Sequence, residues 1–143
     1  MRRCLGLLIL LSSWTLAGSA RAEAPPILYM LECQGCHLAD GAGAAGRVPA
    51  FKGFVGRFLT VAGGREYLVQ VPGSAQSSLD DAELASVLNW IVRQFGPEAI
   101  AADFVPFSAQ EVARHRDRPL TDVEAVRREL VRRMSGMEAS REP

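Results

Sequence analysis

The clearest periodic pattern of apolar side chains lies between Asp80 and Gly96. Asp80 and Glu83 have the spacing of a capping box, in which each side chain accepts a hydrogen bond from the other's backbone N–H, so we predict a helix that starts near Asp80. Gly96-Pro97 is expected to end it. The apolar positions follow one helical face, which predicts a core helix, and they are Leu84, Val87, Leu88, Ile91, Val92 and Phe95.

An earlier helix is predicted from Pro26, because proline is favoured in the first turn of a helix. Leu28, Leu31, Cys33 and Cys36 share a helical spacing in this segment, so the helix is expected to carry both cysteines. Residues 40–46 follow and are too rich in glycine for regular structure, which indicates a loop.

Two further helices are predicted in residues 97–143. Ser108 and Glu111 form a second capping-box pattern, and the helix that they start is expected to end before Pro119. Residues 121–124 repeat the pattern and start another helix, whose apolar positions are Val123, Val126, Leu130, Met134 and Met137. We find no convincing run of strands, so we expect an all-α fold. The tail is expected to pack on the core, with a lid or a docking surface as the alternative.

Residues 1–22 have the features of a secretory signal peptide. Met1-Arg2-Arg3 precedes an apolar stretch from Leu5 to Leu16, and Ala20-Arg21-Ala22 matches an A-x-A cleavage pattern. We expect cleavage after Ala22, which would also remove Cys4. No later segment approaches the roughly 20 apolar residues that a membrane-spanning helix needs. The expected product is therefore an exported, periplasmic protein without a transmembrane anchor.

The charge of the chain argues against one class of function. Loss of Arg2, Arg3 and Arg21 with the leader reduces 16 basic residues to 13, against 16 acidic residues, which argues against binding to nucleic acid. Lys52 is the only lysine, which argues against a lysine-rich docking face.

Cys33-Gln34-Gly35-Cys36-His37 is the strongest chemical signal in the chain. C-x-x-C-H is the pattern of covalent haem attachment, in which two thiols bind one porphyrin and the adjacent imidazole reaches the iron. A zinc site made from Cys33 and Cys36 would need two more ligands, and only His37 and His115 are available. A thioredoxin-like dithiol would need a βαβ pattern, which we do not find. Haem attachment is the favoured interpretation, and an exported dithiol protein is the alternative.

The chain resembles the class I cytochrome c family. The resemblance covers about residues 25 to 95. It comprises the C-x-x-C-H motif, the glycine-rich loop, residues 48–53, Tyr67-Leu68, and residues 79–84 at the start of the helix that contains Trp90. It implies a small helical fold around haem over residues 23–96, followed by a helical extension over 97–143.

The same resemblance implies the roles of individual residues. Cys33 and Cys36 would hold one haem c covalently, His37 would be the proximal ligand of its iron, and the carbonyl of Pro49 would accept the N–H of the His37 ring. One-electron transfer is the implied activity.

The sixth iron ligand is missing from its expected place. The family supplies a methionine from the loop before the last core helix, often as Met-Pro, and Val71-Pro72 occupies that place here. Met134, Met137 and His115 are weaker candidates for the sixth ligand. An open or water-ligated iron is the favoured interpretation, and it would admit small molecules.

We therefore expect a periplasmic monohaem cytochrome that relays electrons from an exported dehydrogenase to a respiratory acceptor, such as a terminal oxidase or another cytochrome. A haem protein that binds or senses a small ligand is the first alternative, and a non-catalytic haem subunit of an oxidoreductase complex is the second. The sequence assembles no catalytic group set, so we do not expect an enzyme.

Overall fold

The computed structural model of the protein describes residues 23–140. Within that range the chain forms seven α-helices and two short 3₁₀ helices and contains no β-strand, so the all-α prediction is confirmed. The predicted signal peptide, residues 1–22, lies outside the described residues. The helices are α1 (Pro25–Glu32), α2 (Gln34–His37), α3 (Gly64–Gln70), α4 (Pro72–Ala75), α5 (Asp81–Phe95), α6 (Ala109–Arg116) and α7 (Val123–Ala139), and the 3₁₀ helices are Val55–Thr60 and Pro97–Ala99.

Helix α5 is the centre of the fold and begins as the sequence predicts. The Asp80 carboxylate accepts the Glu83 backbone N–H at 2.8 Å, and the Glu83 carboxylate accepts the Asp80 N–H at 3.0 Å. The predicted apolar face is buried, and α5 packs against α1, α6 and the 3₁₀ helix Val55–Thr60. At its end the backbone comes very close to that 3₁₀ helix, because a Cβ on Gly96 would lie 2.5 Å from the Gly56 nitrogen.

The first predicted helix is divided in the structure. Cys33 ends α1 with φ −120° and ψ −37°, and α2 carries Cys36 and His37. The chain then reverses at Leu38, whose φ is +61°. The Tyr29 hydroxyl donates a hydrogen bond of 2.6 Å to the Leu38 carbonyl, which fixes the turn against α1. The helical spacing could not reveal this break because the contact that accompanies it spans nine residues.

The C-terminal helices form where they are predicted, but their amino-terminal caps differ from the predicted capping boxes. Ser108 accepts the Glu111 N–H at 3.1 Å, but the capping box is incomplete because the Glu111 carboxylate binds Arg65 instead. At the start of α7 the cap is Asp122, which accepts the Ala125 N–H at 2.9 Å, and not Thr121.

The hydrophobic core continues through these C-terminal helices. Val112, Leu130 and Met134 have at most 2% of their surface exposed and belong to the same buried cluster as the α5 side chains. The boundary at residue 96 therefore stays a prediction about chain organisation, since packing runs across it. None of the helices within residues 23–140 has the length and apolar character to cross a bilayer.

Candidate functional site

A cavity of about 230 Å³ lies at the centre of the helices. Its lining is mostly apolar and comes from α1 and α2, the segment around Pro49, the 3₁₀ helix Val55–Thr60, α3, the loop before α5, α5 itself and α7. Representative apolar side chains on its wall are Val55, Phe58, Leu68, Leu79, Leu88 and Ile91.

The three motif residues line this cavity together. Cys33, Cys36 and His37 all lie on its wall. Both cysteines are free thiols, Cys33 half-buried and Cys36 exposed. Burial raises the pKa of Cys33 to about 11, because a thiolate is poorly solvated there, and the negative charges of Glu32 and Cys36 add to the effect. Both cysteines therefore lie on the cavity wall as free thiols, and Cys33 is held in its protonated form.

The His37 ring is held in a defined environment. It stacks on Phe51, with ring centroids 3.7 Å apart and planes 11° from parallel. Its Nδ1 is buried and has no partner of good hydrogen-bond geometry among the described residues. Burial lowers the pKa of His37, and the Pro49 carbonyl partly opposes this by acting on the ring as an acceptor. The resemblance implied Pro49 as the hydrogen-bond partner of this ring, and that role stays a prediction.

The glycine-rich loop brings Pro49 to this ring. The Gly43 N–H donates to the His37 carbonyl at 3.0 Å. Gly43 has φ +66°, and a Cβ on it would lie 2.4 Å from the Val48 carbonyl oxygen and 2.8 Å from that of Pro49. Only glycine allows the two backbone segments to approach this closely.

Within residues 23–140, no methionine and no second histidine faces the cavity as a sixth ligand. Val71 is on the wall, and among the described residues neither a methionine nor a histidine other than His37 lines it. Met134 is buried in the core at 2% exposure, and Met137 is 38% exposed. His115 lies on α6 outside the lining. The structure therefore does not bring the three candidate ligands to the cavity.

The loop that carries Val71 towards α5 is fixed by Arg116. The Arg116 guanidinium donates to the Leu79 carbonyl at 2.8 Å and to the Ser77 carbonyl at 3.2 Å. It also pairs with the Asp81 carboxylate at 2.9 Å. A side chain from α6 thus holds the loop in place.

Helix α7 contributes Val123 and Arg127 to the cavity wall. The sequence reading missed Arg127 as a site residue. Its position, four residues after Val123 and three before Leu130, places it on the buried face of the helix, and that spacing is the signal that indicates it.

The zinc alternative finds no ligand set in the described part of the chain. No group of three or more histidine, cysteine, aspartate or glutamate side chains there is arranged to hold a metal ion.

Comparison with known proteins decides the family. The chain is 35% identical over 124 residues to a cytochrome c-552 of Thermus thermophilus, an alignment that covers 74% of this chain and 84% of that protein. The chain belongs to the class I c-type cytochromes. A second cytochrome c-552 of Thermus thermophilus is also 35% identical, over 108 residues that cover 63% of this chain and 82% of that protein. No protein-family model matches the chain.

The similarity of this c-type cytochrome to its relative is not confined to residues 1–96. Those residues are about two thirds of the chain, and the first alignment covers 74% of it, so the match includes residues after position 96. Family membership makes the protein an electron-transfer protein, and it implies covalently bound haem c. The site fits that cofactor: the wall is mostly apolar, two free thiols have the attachment spacing, and the His37 imidazole lies on the same wall.

Proposed function

We propose that Cys33 and Cys36 attach a single haem c, that His37 is the proximal ligand of its iron, and that the protein relays single electrons in the periplasm. The observation that carries the proposal is that all three side chains line one mostly apolar cavity. When bound, the haem supplies an iron that cycles between the ferric and ferrous states. All other functions at the site are carried out by the chain's own residues.

The protein's residues orient the ligand side chain. Phe51 stacks on His37 and restricts rotation of the imidazole. The Pro49 carbonyl acts as an acceptor for the His37 ring, which would leave the other ring nitrogen for the metal. The Gly43 N–H donates to the His37 carbonyl and the Tyr29 hydroxyl donates to the Leu38 carbonyl, so the turn that follows His37 is fixed. Such a rigid ligand environment suits electron transfer, because little has to move when the iron changes its oxidation state.

The proposed route is from an exported dehydrogenase to a respiratory acceptor, either a terminal oxidase or another cytochrome. The pattern of residues 1–22 supports export, with cleavage after Ala22. Fractionation of cells and sequencing of the mature amino terminus tests this part. Recovery in the periplasm with Glu23 as the first residue is the expected result, and recovery of an uncleaved cytoplasmic chain would contradict it.

Substitution of the cysteines tests haem attachment. We expect Cys33→Ala and Cys36→Ala each to abolish most stable holoprotein, whereas Cys4→Ala leaves it intact. Haem that remains with the wild-type chain after acid–acetone extraction confirms the covalent bond. If extraction removes the haem, or if Cys4→Ala has the same effect as the other two, the proposed attachment is wrong.

A second function is favoured by one observation, the presence of Val71 on a wall without methionine among the described residues. We propose as the alternative that the iron has an open position that binds or senses a small ligand. Carbon monoxide added to the ferrous protein separates the two functions. Fast, tight binding supports the ligand-binding role, and an unchanged spectrum supports a carrier with a strong sixth ligand.

Isolation of the protein tests a third role, that of a dedicated haem subunit in an oxidoreductase complex. A stable monomer that exchanges electrons rapidly with several acceptors supports the independent carrier. Co-purification with one enzyme in a fixed ratio supports the subunit.

A further inference from the structure

A series of ring contacts leads from His37 to the surface of α5. The His37 imidazole stacks on the Phe51 ring, with centroids 3.7 Å apart. The centroid of the Phe51 ring lies 6.5 Å from that of Tyr29, and the Tyr29 centroid lies 5.0 Å from that of Trp90. The last two separations are typical of interacting aromatic pairs. The four rings therefore connect the proposed iron ligand on α2 with a residue of α5.

The members of this series lie in three different environments. His37 and Phe51 line the cavity, whereas Tyr29 and Trp90 are outside its lining. Tyr29 has only 1% of its surface exposed and belongs to the core. Trp90 is half-buried and packs on the edge of that core. The rings thus run from solvent, through the closed interior, to the wall that carries the attachment motif.

Tyr29 has a second connection to His37, which is made by its hydroxyl. The hydroxyl donates a hydrogen bond of 2.6 Å to the carbonyl of Leu38, the residue bonded directly to His37. That distance is short for a bond between two oxygens. Burial raises the pKa of Tyr29 to about 12, so the hydroxyl keeps its proton and this bond at neutral pH. Phenylalanine at position 29 would keep the ring contacts and lose the hydrogen bond.

The two connections suit the transfer of an electron over a long distance. Electron tunnelling weakens steeply with each gap of empty space, and covalent bonds, hydrogen bonds and closely packed rings carry it further. From Trp90 one ring contact reaches Tyr29. From Tyr29 either the hydrogen bond to Leu38 or the Phe51 ring reaches His37. An electron that tunnels along this route does not stop on either side chain, so neither ring is oxidised and no proton is released.

We propose that Trp90 and Tyr29 form an electron path between the surface of α5 and His37, through which the iron exchanges single electrons with a redox partner that contacts Trp90. The partner is a one-electron donor or acceptor that does not enter the cavity. When it is a donor, it loses one electron, ferric iron gains that electron and becomes ferrous, and no bond in either side chain forms or breaks. This inference rests on the proposed attachment of haem and on its ligation by His37.

Light-triggered electron transfer in the labelled holoprotein tests the path. In a Cys4→Ala background, Gln94→Cys places a ruthenium photosensitiser at an exposed position of α5, four residues after Trp90. Arg128→Cys places the same label on α7, at a side chain that is 69% exposed, and is the matched control. A flash of light moves one electron from the label to the ferric haem. The growth of the ferrous spectrum gives the rate.

The path predicts that the rate depends on the position of the label. From position 94, Trp90→Leu should slow the transfer by about tenfold or more, because leucine leaves a gap where ring contacts were. Trp90→Phe keeps a ring and should slow it less. Tyr29→Phe removes the hydrogen bond and should slow it by about threefold. From position 128 all three variants should keep the rate of the parent protein.

An aromatic side chain outside the path is the second control. The ring of Phe104 lies 5.1 Å from the Arg93 guanidinium carbon, so it is near the label at position 94 without belonging to the series. Phe104→Leu should leave the rate from position 94 unchanged.

Covalent haem and the reduction potential are measured first in each variant, so that a changed rate reports the path and not the driving force. A parent protein that holds no covalent haem, or that is reduced from neither label, would count against the proposed haem site itself. With haem and potential retained, the path is overturned if Trp90→Leu and Phe104→Leu give the same rate from position 94. It is also overturned if Trp90→Leu slows the transfer equally from both labels.

Discussion

Asn89 and Phe107 are joined by two reciprocal hydrogen bonds. The Asn89 side-chain amide donates to the Phe107 carbonyl at 2.9 Å, and the Phe107 N–H donates to the Asn89 side-chain oxygen at 2.7 Å. Asn89 is in the middle of α5, and Phe107 precedes α6. One amide side chain thus satisfies the buried backbone of the segment that connects the core to the C-terminal helices.

Asn89→Ala is expected to loosen this connection. The substitution leaves the N–H and the carbonyl of Phe107 without partners in a position that is 4% exposed, which costs about 2–3 kcal/mol. Chemical denaturation measures the loss. Gln94→Ala is the control, because Gln94 is an exposed residue of the same helix, and its effect should stay within about 0.5 kcal/mol. Equal stability of the two variants would show that the Asn89 bonds contribute nothing.

Arg116→Gln is expected to release the loop before α5. Its side chain is only 15% exposed, and its loss leaves the carbonyls of Ser77 and Leu79 without a donor. We expect a loss of about 2–3 kcal/mol and faster amide exchange in residues 76–80. Hydrogen exchange read by residue checks this. Arg114→Gln, at an exposed position of the same helix, should leave the exchange of the loop unchanged.

Alanine substitutions at two glycines of the loop near His37 are expected to destabilise the protein to different degrees. Gly43 and Gly46 both have positive φ, +66° and +72°, so alanine at either strains the backbone by about 1–2 kcal/mol. A Cβ at Gly46 meets nothing within 4 Å, whereas at Gly43 it meets backbone at 2.4 Å. Gly43→Ala should therefore destabilise the protein at least twice as much in thermal unfolding, and it should also disturb the haem spectrum. Similar unfolding curves would contradict the close backbone approach.

The pair of Arg65 and Glu111 predicts a dependence of stability on pH. Two hydrogen bonds, 2.7 and 2.8 Å long, join their side chains, and those bonds hold the pKa of Glu111 below its ordinary value despite the opposing effect of burial. The pair stabilises the fold fully above the unfolded pKa of about 4.3, and this stabilisation is lost as the pH falls through the lower folded pKa.

Glu111→Gln should accordingly cost about 1 kcal/mol at pH 7, and the difference from wild type should shrink as the pH falls below about 4. Urea denaturation over a range of pH measures both. Glu124→Gln removes a pair whose side chains are 69% and 88% exposed, so it should have an effect of less than about 0.5 kcal/mol. A difference for Glu111→Gln that is constant with pH would contradict the lowered pKa.

Local patterns predicted the elements whose causes are local. The capping box of α5 and its apolar face need only residues 80–96, and both are present in the structure. The C-x-x-C-H motif likewise predicted three side chains of the site, and the structure brings these three to one cavity.

Distant contacts explain what the sequence did not predict. Glu111 leaves the predicted capping box because Arg65, 46 residues away, binds its carboxylate. Arg116 reaches a loop 37 residues earlier. In the sequence, Arg127 is one of many arginines in a charged helix, and nothing local distinguishes it. Its position follows from the packing of α7 against α3. No local spacing rule contains such information, since it depends on how the helices pack.

The order of the elements along the chain has a consequence for biosynthesis. The segment with Cys33, Cys36 and His37 lies in the first helices of the described chain, whereas Arg116 and Arg127 lie in the last two. During synthesis from the amino terminus, both thiols and the imidazole emerge before α7 exists to contribute Val123 and Arg127 to the cavity wall. The wall is therefore complete only after the carboxyl-terminal helix has been added and has packed against the helices that carry the motif.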